Sequence, residues 1–173
     1  MQRIFREPYP HFRDIVNQMH EISRNLCLDD MLANPDGQFA IQTNVPGSND
    51  WKSGTGKSAG RSLDWEKTFC HLNSDLTNSP IDNYLNWLNI PVYRTRLMVS
   101  RPRSCYSLHR DYSPRLHLPL ITNDQCNFLI SEPLTMFHLP ADGHTYWVDT
   151  RLKHTFLNGS LDARLHIVMI VEK

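Results

Sequence analysis

The second half of the chain is a series of short β-forming runs, and this pattern constrains the fold more than any other feature. Each run is rich in β-branched and aromatic residues and is bounded by tracts typical of turns, such as PADG and NGSLD. Strands at intervals of roughly 8–12 residues are typical of an antiparallel β-sandwich or barrel. The sequence therefore predicts a β-core over residues 93–173. The seven predicted strands cover residues 93–99, 115–121, 126–130, 134–139, 144–149, 154–158 and 163–171.

The first half, residues 1–92, has a helical pattern instead. Apolar residues recur at helical spacing over residues 12–26. A second short helix is predicted over residues 81–88, after Pro80 and with Ser79 as its cap. Because a chain of 173 residues has the usual size of one domain, we expect a single domain over residues 1–173, mostly β with N-terminal helices.

A glycine-rich segment separates the two predicted helices. Residues 43–62 hold four of the seven glycines, and a loop of about 20 residues in a compact domain is commonly either a functional lid or disordered. Within it, GTGKS (54–58) invites comparison with a phosphate-binding loop, but the glycine required five residues before Gly56 is Trp51 here. We therefore interpret the segment as a flexible loop that could serve as a lid, and not as a nucleotide site.

The composition argues against several classes of protein. Lys plus Arg number 18, as do Asp plus Glu, and a net charge of zero argues against a general polyanion binder. No apolar run approaches the roughly 18 residues of a membrane span, and the N-terminus lacks the apolar stretch of a secretory signal. The four cysteines contain no CxxC pair. We expect a cytoplasmic protein with no membrane partner, whose oligomeric state the sequence leaves open.

The segment YSLHRDYSPRLHLPL (106–120) holds the residues that indicate chemistry. His109 and Asp111 are two residues apart, and on a strand such residues face the same side with Cα atoms about 6.6 Å apart. His154 opens a later predicted strand. Two imidazoles and one carboxylate are the ligands of non-haem Fe(II) oxygenases, which leave coordination positions open for a cosubstrate and O₂. The sequence therefore predicts a catalytic metal site formed by these three residues.

Arg164 strengthens this interpretation. It lies on the last predicted strand and is followed by the apolar run LHIVMIV, where a buried arginine is costly unless it meets an anion. Since a guanidinium matches a carboxylate with two parallel hydrogen bonds, Arg164 suits a dicarboxylate cosubstrate. Arg115 and His117 share the parity of His109 and Asp111, so they face the same cavity if the strand continues past residue 114 without a bulge.

Together these motifs resemble the aspartyl/asparaginyl β-hydroxylase family. They occur in the order H-x-D, R-L-H-x-P-L-x-T-N, G-x-x-Y-x-x-D, H-x-x-x-N and R-x-H-x-V, and the resemblance covers residues 93–171. Members of that family are 2-oxoglutarate- and Fe(II)-dependent dioxygenases with a double-stranded β-helix, a jelly-roll and cupin-like core, and they include free-proline hydroxylases. The resemblance implies the same core for this chain, with Fe(II), 2-oxoglutarate as cosubstrate, and O₂.

The resemblance also implies individual roles. The three residues of the predicted metal site would bind iron, Arg164 would bind the distal carboxylate of 2-oxoglutarate, and Arg115 and His117 would lie near its other carboxylate. Some β-hydroxylases lack the carboxylate ligand, whereas Asp111 is present here. A serine that helps to hold the cosubstrate in the animal enzymes is replaced by Met98. The implied reaction is hydroxylation of an amino acid, either free or as a residue in a protein, with release of succinate and CO₂.

Two other functions stay open. A cupin-like metal-binding isomerase or small-ligand binding module would explain the metal site but would leave Arg164 without a purpose. A nucleic-acid oxygenase of the same broad fold would use an arginine-rich strip interleaved with tyrosines. The same arginines would alternatively pair with acids elsewhere or bind an anionic small substrate. The arginines of this strip are Arg94, Arg96, Arg101, Arg103, Arg110 and Arg115.

Overall fold

The structure is a computed structural model that describes residues 2–30, 37–56 and 60–172, with the backbone alone for residues 26–30. Its helices are α1 (Phe12–Asp30), α2 (Leu63–Lys67) and α3 (Pro80–Leu88), with a 3₁₀ turn at Ser74–Leu76. Its strands are β1 (Gln2–Arg3), β2 (Gln38–Ala40), β3 (Gln42–Thr43), β4 (His71–Leu72), β5 (Tyr93–Ser100), β6 (Ser104–Cys105), β7 (Arg115–Ile121), β8 (Cys126–Ser131), β9 (Leu134–His138), β10 (Tyr146–Val148), β11 (His154–Asn158) and β12 (Arg164–Ile170).

Strands β5 to β12 form two facing antiparallel sheets. The large sheet has the order β1-β10-β7-β12-β5-β2 and the small sheet the order β6-β11-β8-β9, with β3 and β4 paired separately. Along the chain the eight core strands alternate between the sheets, except that β8 and β9 are neighbours in one sheet. This is the arrangement of a jelly roll, or double-stranded β-helix. The predicted fold class is therefore confirmed.

All seven predicted β-forming runs are strands, with ends that differ from the prediction by no more than two residues. The very short strands β1 to β4 and β6 were not predicted, because two- or three-residue pairings leave no alternating pattern in the sequence. Two of them extend the large sheet from the N-terminal half: β1 pairs with β10, and β2 pairs with β5.

The central strand β12 has one face toward the helices and the other toward the small sheet. All seven of its residues are buried. Because side chains alternate along a strand, Leu165 and Ile167 pack into the core on the helical side, while Arg164, two residues before His166, faces the space between the sheets. A second cluster, which includes Phe128 and Phe156, fills part of that space.

Helices α1 and α3 cover the outer face of the large sheet. Ile15 and Met19 of α1 and Tyr84 of α3 are fully buried there, as the helical pattern predicts. Ser79 is the N-cap residue of α3, as predicted, but its side chain makes no capping hydrogen bond, and Gln18 Oε1 of α1 accepts one from the amide of Ile81 at 3.0 Å. No helix in the described part of the chain has the length and apolar character needed to cross a membrane.

Gly37 lies where β2 meets β5, and its surroundings leave no room for a side chain. Its φ is +56°, and a Cβ there would lie 2.4 Å from the carbonyl oxygen of Val99. At Gly47, φ is +73° but a Cβ would meet nothing within 4 Å.

We expect Gly37→Ala to lower the free energy of unfolding by about 1–3 kcal/mol more than Gly47→Ala. Urea denaturation measures both, and equal losses would contradict the importance of this contact.

Candidate metal centre

The three predicted metal ligands come together between the two sheets. His154 is the first residue of β11, and His109 lies in the segment between β6 and β7. Their backbones exchange two hydrogen bonds: His109 N donates to His154 O at 2.9 Å, and His154 N donates to His109 O at 2.8 Å. Asp111 N in turn donates to Thr150 O at 2.9 Å. These backbone contacts bring the imidazole rings to a centroid separation of 4.4 Å.

The local structure differs from the predicted strand. His109 forms only an isolated bridge with His154, and a regular strand begins only at Arg115. Before Pro114, which cannot donate a ladder hydrogen bond, the segment follows β11 and the turn that precedes it through separate backbone hydrogen bonds. Because His109 and Asp111 are both anchored to the β11 side, their side chains still converge, as the two-residue spacing predicts.

The geometry of the side chains suits a divalent metal ion. The potential ligand atoms all lie within 4.8 Å of one another. Asp111 Oδ1 is 4.0 Å from His109 Nε2, and Asp111 Oδ2 is 4.0 Å from His154 Nε2. His154 is 5% exposed, whereas His109 is 41% exposed. The site is therefore closed on the β11 side and open to solvent on the other.

Hydrogen bonds on the far side of each imidazole prepare it for coordination. Nδ1 of His109 lies 2.6 Å from Ser107 O, and Nδ1 of His154 lies 2.9 Å from Leu152 O. A carbonyl only accepts, so both Nδ1 atoms donate, and each neutral ring keeps its Nε2 lone pair for a metal. Burial also lowers the pKa of His154, which keeps this ring neutral to lower pH.

A buried ion-pair chain holds the carboxylate ligand. Arg115 Nε lies 3.4 Å from Asp111 Oδ2, and Arg115 Nη2 donates to Glu66 Oε1 at 3.0 Å. Glu66 is fully buried in α2, and its Oε1 also accepts from Arg94 Nη1 at 2.8 Å. Arg115, which the family resemblance places near a cosubstrate carboxylate, therefore already has two carboxylate partners within the protein. This role of Glu66 was not predicted from the sequence, because the segment LDWEK has the pattern of an ordinary short helix.

Arg94 fixes the glycine-rich segment beside the site. Its Nε donates to Gly54 O at 2.7 Å and its Nη2 to Gly56 O at 2.9 Å. Arg94 has a φ of +45°, a conformation uncommon for residues other than glycine. Residues 54–56 thus form part of a wall held by their carbonyl groups, which differs from a phosphate-binding loop. Residues 57–59 of the predicted lid lie outside the described residues.

A cavity of about 800 Å³ extends from the candidate metal ligands between the two sheets. The large sheet contributes polar side chains to it, among them His117 and Arg164, and the small sheet contributes the rings of Phe128 and Phe156. Met98, the position of the family serine, also lines this space. The cavity thus joins the metal ligands to the predicted cosubstrate residues.

Arg164 is a buried cation without a carboxylate partner in the described parts of the chain. Its guanidinium lies 3.6 Å from the ring centroid of Phe156, and its Nε is 2.7 Å from His166 Nε2. Burial lowers the pKa of Arg164 to about 9, so the group stays charged at neutral pH. A buried charge in this setting calls for an anion, as the sequence predicts.

His117 presents two unsatisfied nitrogen atoms to the same cavity. Both ring nitrogens are buried and have no hydrogen-bond partner among the described residues. Its ring meets Phe128 edge to face at 5.0 Å. Because buried polar atoms are rarely left unpaired, this ring suits a bound polar ligand. His138 and His144, in contrast, have partners outside the cavity, the carbonyl of Cys126 and Asp142 respectively.

The predicted arginine-rich strip does not form one surface. Arg94, Arg96 and Arg115 are buried, whereas the remaining three arginines of the strip are exposed. The buried half of the strip lines the cavity, together with the exposed Arg110.

The comparisons with known proteins support the fold. No protein-family model matches the chain, and no curated protein matches its sequence. AviO1 from Streptomyces viridochromogenes Tue57 is similar in structure, with a TM-score of 0.51, 16% identity, and coverage of 94% of this chain and 85% of that one. At this level of identity, the likeness shows a shared fold.

Two further solved structures are more distant. An oxidoreductase of the 2OG-Fe(II) oxygenase family from Burkholderia pseudomallei has a TM-score of 0.43 and 14% identity, with coverage of 96% of this chain and 92% of that one. A cupin domain from Bordetella pertussis Tohama I has a TM-score of 0.40 and 15% identity, with coverage of 46% and 81%.

We expect Glu66→Gln to destabilise the protein strongly. The substitution removes the negative charge shared by Arg94 and Arg115, and breaking a buried ion pair in this way costs about 3–5 kcal/mol. Urea denaturation measures the loss. Glu172→Gln is the matched control, since Glu172 is 54% exposed in its ion pair with Lys67, and we expect it to cost less than about 1 kcal/mol. Similar losses in the two variants would contradict the importance of the buried network.

We also expect the stability to fall in mild acid because of two buried histidines. Burial, and next the charge of Arg164, lowers the pKa of His117 and His166 well below 6.5. Below about pH 6.5 the unfolded chain binds protons at these residues that the folded chain does not, so the free energy of unfolding falls as the pH falls. Each histidine contributes about 1.4 kcal/mol per pH unit.

His117→Gln should therefore make the slope of unfolding free energy against pH shallower by about 1.4 kcal/mol per unit between about pH 6 and 5. Urea denaturation at several pH values measures this slope. His20→Gln, at an exposed position of α1, should leave it unchanged. An unaltered slope in His117→Gln would show that this histidine is protonated in the folded state.

Proposed function

We propose that this protein is a 2-oxoglutarate- and Fe(II)-dependent dioxygenase that hydroxylates an amino acid, either free or within a protein. One observation carries the proposal. A single cavity holds His109, Asp111 and His154, whose side chains are placed to bind a metal ion, and also the buried charge of Arg164, which has no carboxylate partner among the described residues. Two imidazoles and one carboxylate fit Fe(II) and leave coordination positions open.

Different residues would bind the metal ion and the cosubstrate. His109 and His154 would hold the ion through their Nε2 atoms, and Asp111 through an oxygen kept in place by Arg115. Arg164 would bind the distal carboxylate of 2-oxoglutarate with its guanidinium. When bound together with 2-oxoglutarate and O₂, Fe(II) supplies the oxidising chemistry that couples decarboxylation to succinate and CO₂ with hydroxylation of a C–H bond.

The aromatic wall of the cavity favours the binding of an anion at Arg164. The aromatic rings beside Arg164 strengthen the attraction between this arginine and an anion, because they lower the local dielectric constant. His117 would offer its unpaired ring nitrogens to the cosubstrate or substrate. A cupin-like isomerase or a small-ligand binding module would use the same metal ligands, but it would leave the charge of Arg164 uncompensated. Arg164 therefore favours the oxygenase.

Two binding measurements and one activity measurement test the proposal. We expect the purified protein to bind Fe(II) in anaerobic equilibrium dialysis and to bind 2-oxoglutarate in calorimetry. His154→Ala should abolish metal binding. Arg164→Gln should keep the metal but weaken 2-oxoglutarate binding about 10- to 100-fold, the effect of losing a charge-assisted contact. Succinate release should fall in both variants.

His20→Ala is the control for the loss of a histidine, because His20 is exposed and distant in sequence from the metal ligands. It should bind metal and cosubstrate as the wild type does. The proposal fails if the wild-type protein binds neither Fe(II) nor 2-oxoglutarate. If Arg164→Gln binds 2-oxoglutarate as tightly as the wild type, the assigned role of Arg164 is wrong and the isomerase or binding module becomes the better interpretation.

A further inference from the structure

Like Arg164, Arg96 on β5 is a buried cation that lines the cavity, and its side chain donates hydrogen bonds only to neutral groups. It is 6% exposed. Its Nη1 donates to Gln38 Oε1 at 2.7 Å and its Nε to the carbonyl of Arg94 at 3.3 Å. No carboxylate in residues 2–30, 37–56 and 60–172 pairs with it, and these contacts leave its Nη2 group for another partner. The protein thus holds this guanidinium in a fixed place without neutralising it.

The buried arginines of the cavity outnumber its carboxylates, and Arg96 is one of those left without a carboxylate. Two of the cavity arginines, Arg94 and Arg115, share the buried carboxylate of Glu66, and Arg115 also meets Asp111. Arg96 and Arg164 remain without a carboxylate. Burial lowers the pKa of Arg96 to about 9, so its charge persists at neutral pH. Because the cavity has two buried cations without a carboxylate partner, a single carboxylate bound at Arg164 leaves the charge of Arg96 without a counterion.

The positions of Arg96 and Arg164 separate them into two subsites. In the large sheet, Ser100 lies opposite Arg164 and Val168 lies opposite Arg96. Four residues along a strand place the two arginine Cα atoms roughly 13 Å apart along the strand direction. In the same sheet, Val168 lies between Arg96 and His117, and Arg115, two residues before His117, contacts Asp111. Arg96 therefore lies toward the metal-ligand end of the cavity.

We infer that Arg96 is the binding site for a carboxylate of the substrate, separate from the cosubstrate site at Arg164. The inference rests on the proposed function and narrows it to substrates that carry an anionic carboxylate close to the reacting carbon. A guanidinium fixed by Gln38 is ready to bind such a group with little loss of entropy. The carboxylate is either the α-carboxylate of a free amino acid or the side-chain carboxylate of an acidic residue in a peptide.

A comparison of acids with their amides tests the inference on the wild-type protein. The probes are the twenty free L-amino acids, their C-terminal amides, and N-acetylated, C-amidated aspartate, glutamate, asparagine and glutamine. The readouts are succinate release and a gain of one oxygen in the mass of the probe. We expect kcat/KM for an accepted carboxylate to exceed that for its amide at least about tenfold. Turnover of free acids or of the capped acidic residues identifies the source of the carboxylate.

Substitutions at Arg96 then assign the effect to this residue. Arg96→Gln should lower kcat/KM for the acid about 10- to 100-fold, change it less than about threefold for the amide, and leave the calorimetric affinity for 2-oxoglutarate near the wild-type value. Arg96→Lys should recover part of the loss, because it restores the charge without the planar fork. Arg13→Gln removes one exposed positive charge on α1 and should change none of these quantities.

The outcomes separate the two proposals. Amides turned over as well as acids, or no turnover of any acid in the panel, would overturn the substrate site. A loss of 2-oxoglutarate affinity in Arg96→Gln as large as that in Arg164→Gln would place Arg96 in the cosubstrate site, and would also overturn the inference while the dioxygenase proposal stands. Failure of the wild type to bind Fe(II) or 2-oxoglutarate would instead reject the dioxygenase proposal itself.

Discussion

The candidate site depends on one buried carboxylate. Glu66 lies on a five-residue helix, yet it pairs with arginines from two strands that are separated in the large sheet by β12. One of these arginines holds the carbonyl groups of Gly54 and Gly56, and the other contacts the candidate metal ligand Asp111. A buried ion pair does not by itself stabilise a protein, but removing one partner leaves a buried charge without a counterion, which is strongly destabilising. The position of Asp111 is therefore tied to the packing of α2.

The two faces of the central strand β12 lie in different environments. Its helix-facing residues are aliphatic and belong to an ordinary hydrophobic core. Its other face carries Arg164 and His166, which are buried among aromatic rings. A strand that is apolar on both faces would be more stable, since each buried polar group must recover its lost hydration. The polar face is thus a cost in stability that is consistent with a binding role.

Much of the fold was predictable from the sequence, because the core strands carry regular patterns. The seven β-forming runs and both longer helices are correct to within a few residues, and the convergence of His109, Asp111 and His154 follows from a two-residue spacing. The residues that support them were not predictable. Glu66 contacts residues 28 and 49 positions away, and nothing in its local sequence distinguishes it from a solvent-exposed helical glutamate. The left-handed conformation of Arg94 also has no local signal, since glycine is the residue expected there.

The reciprocal backbone hydrogen bonds between His109 and His154 have a consequence for how an ion is acquired. In many small metal sites the ligands are scattered in the apo protein, and binding must drive their ordering. Here the two imidazoles are fixed side by side by the same hydrogen bonds that attach the segment to β11. The entropy of assembling this pair of side chains is lost when the chain folds, so an ion that bound here would meet two imidazoles already side by side. Its affinity would then reflect coordination chemistry more than the ordering of the polypeptide.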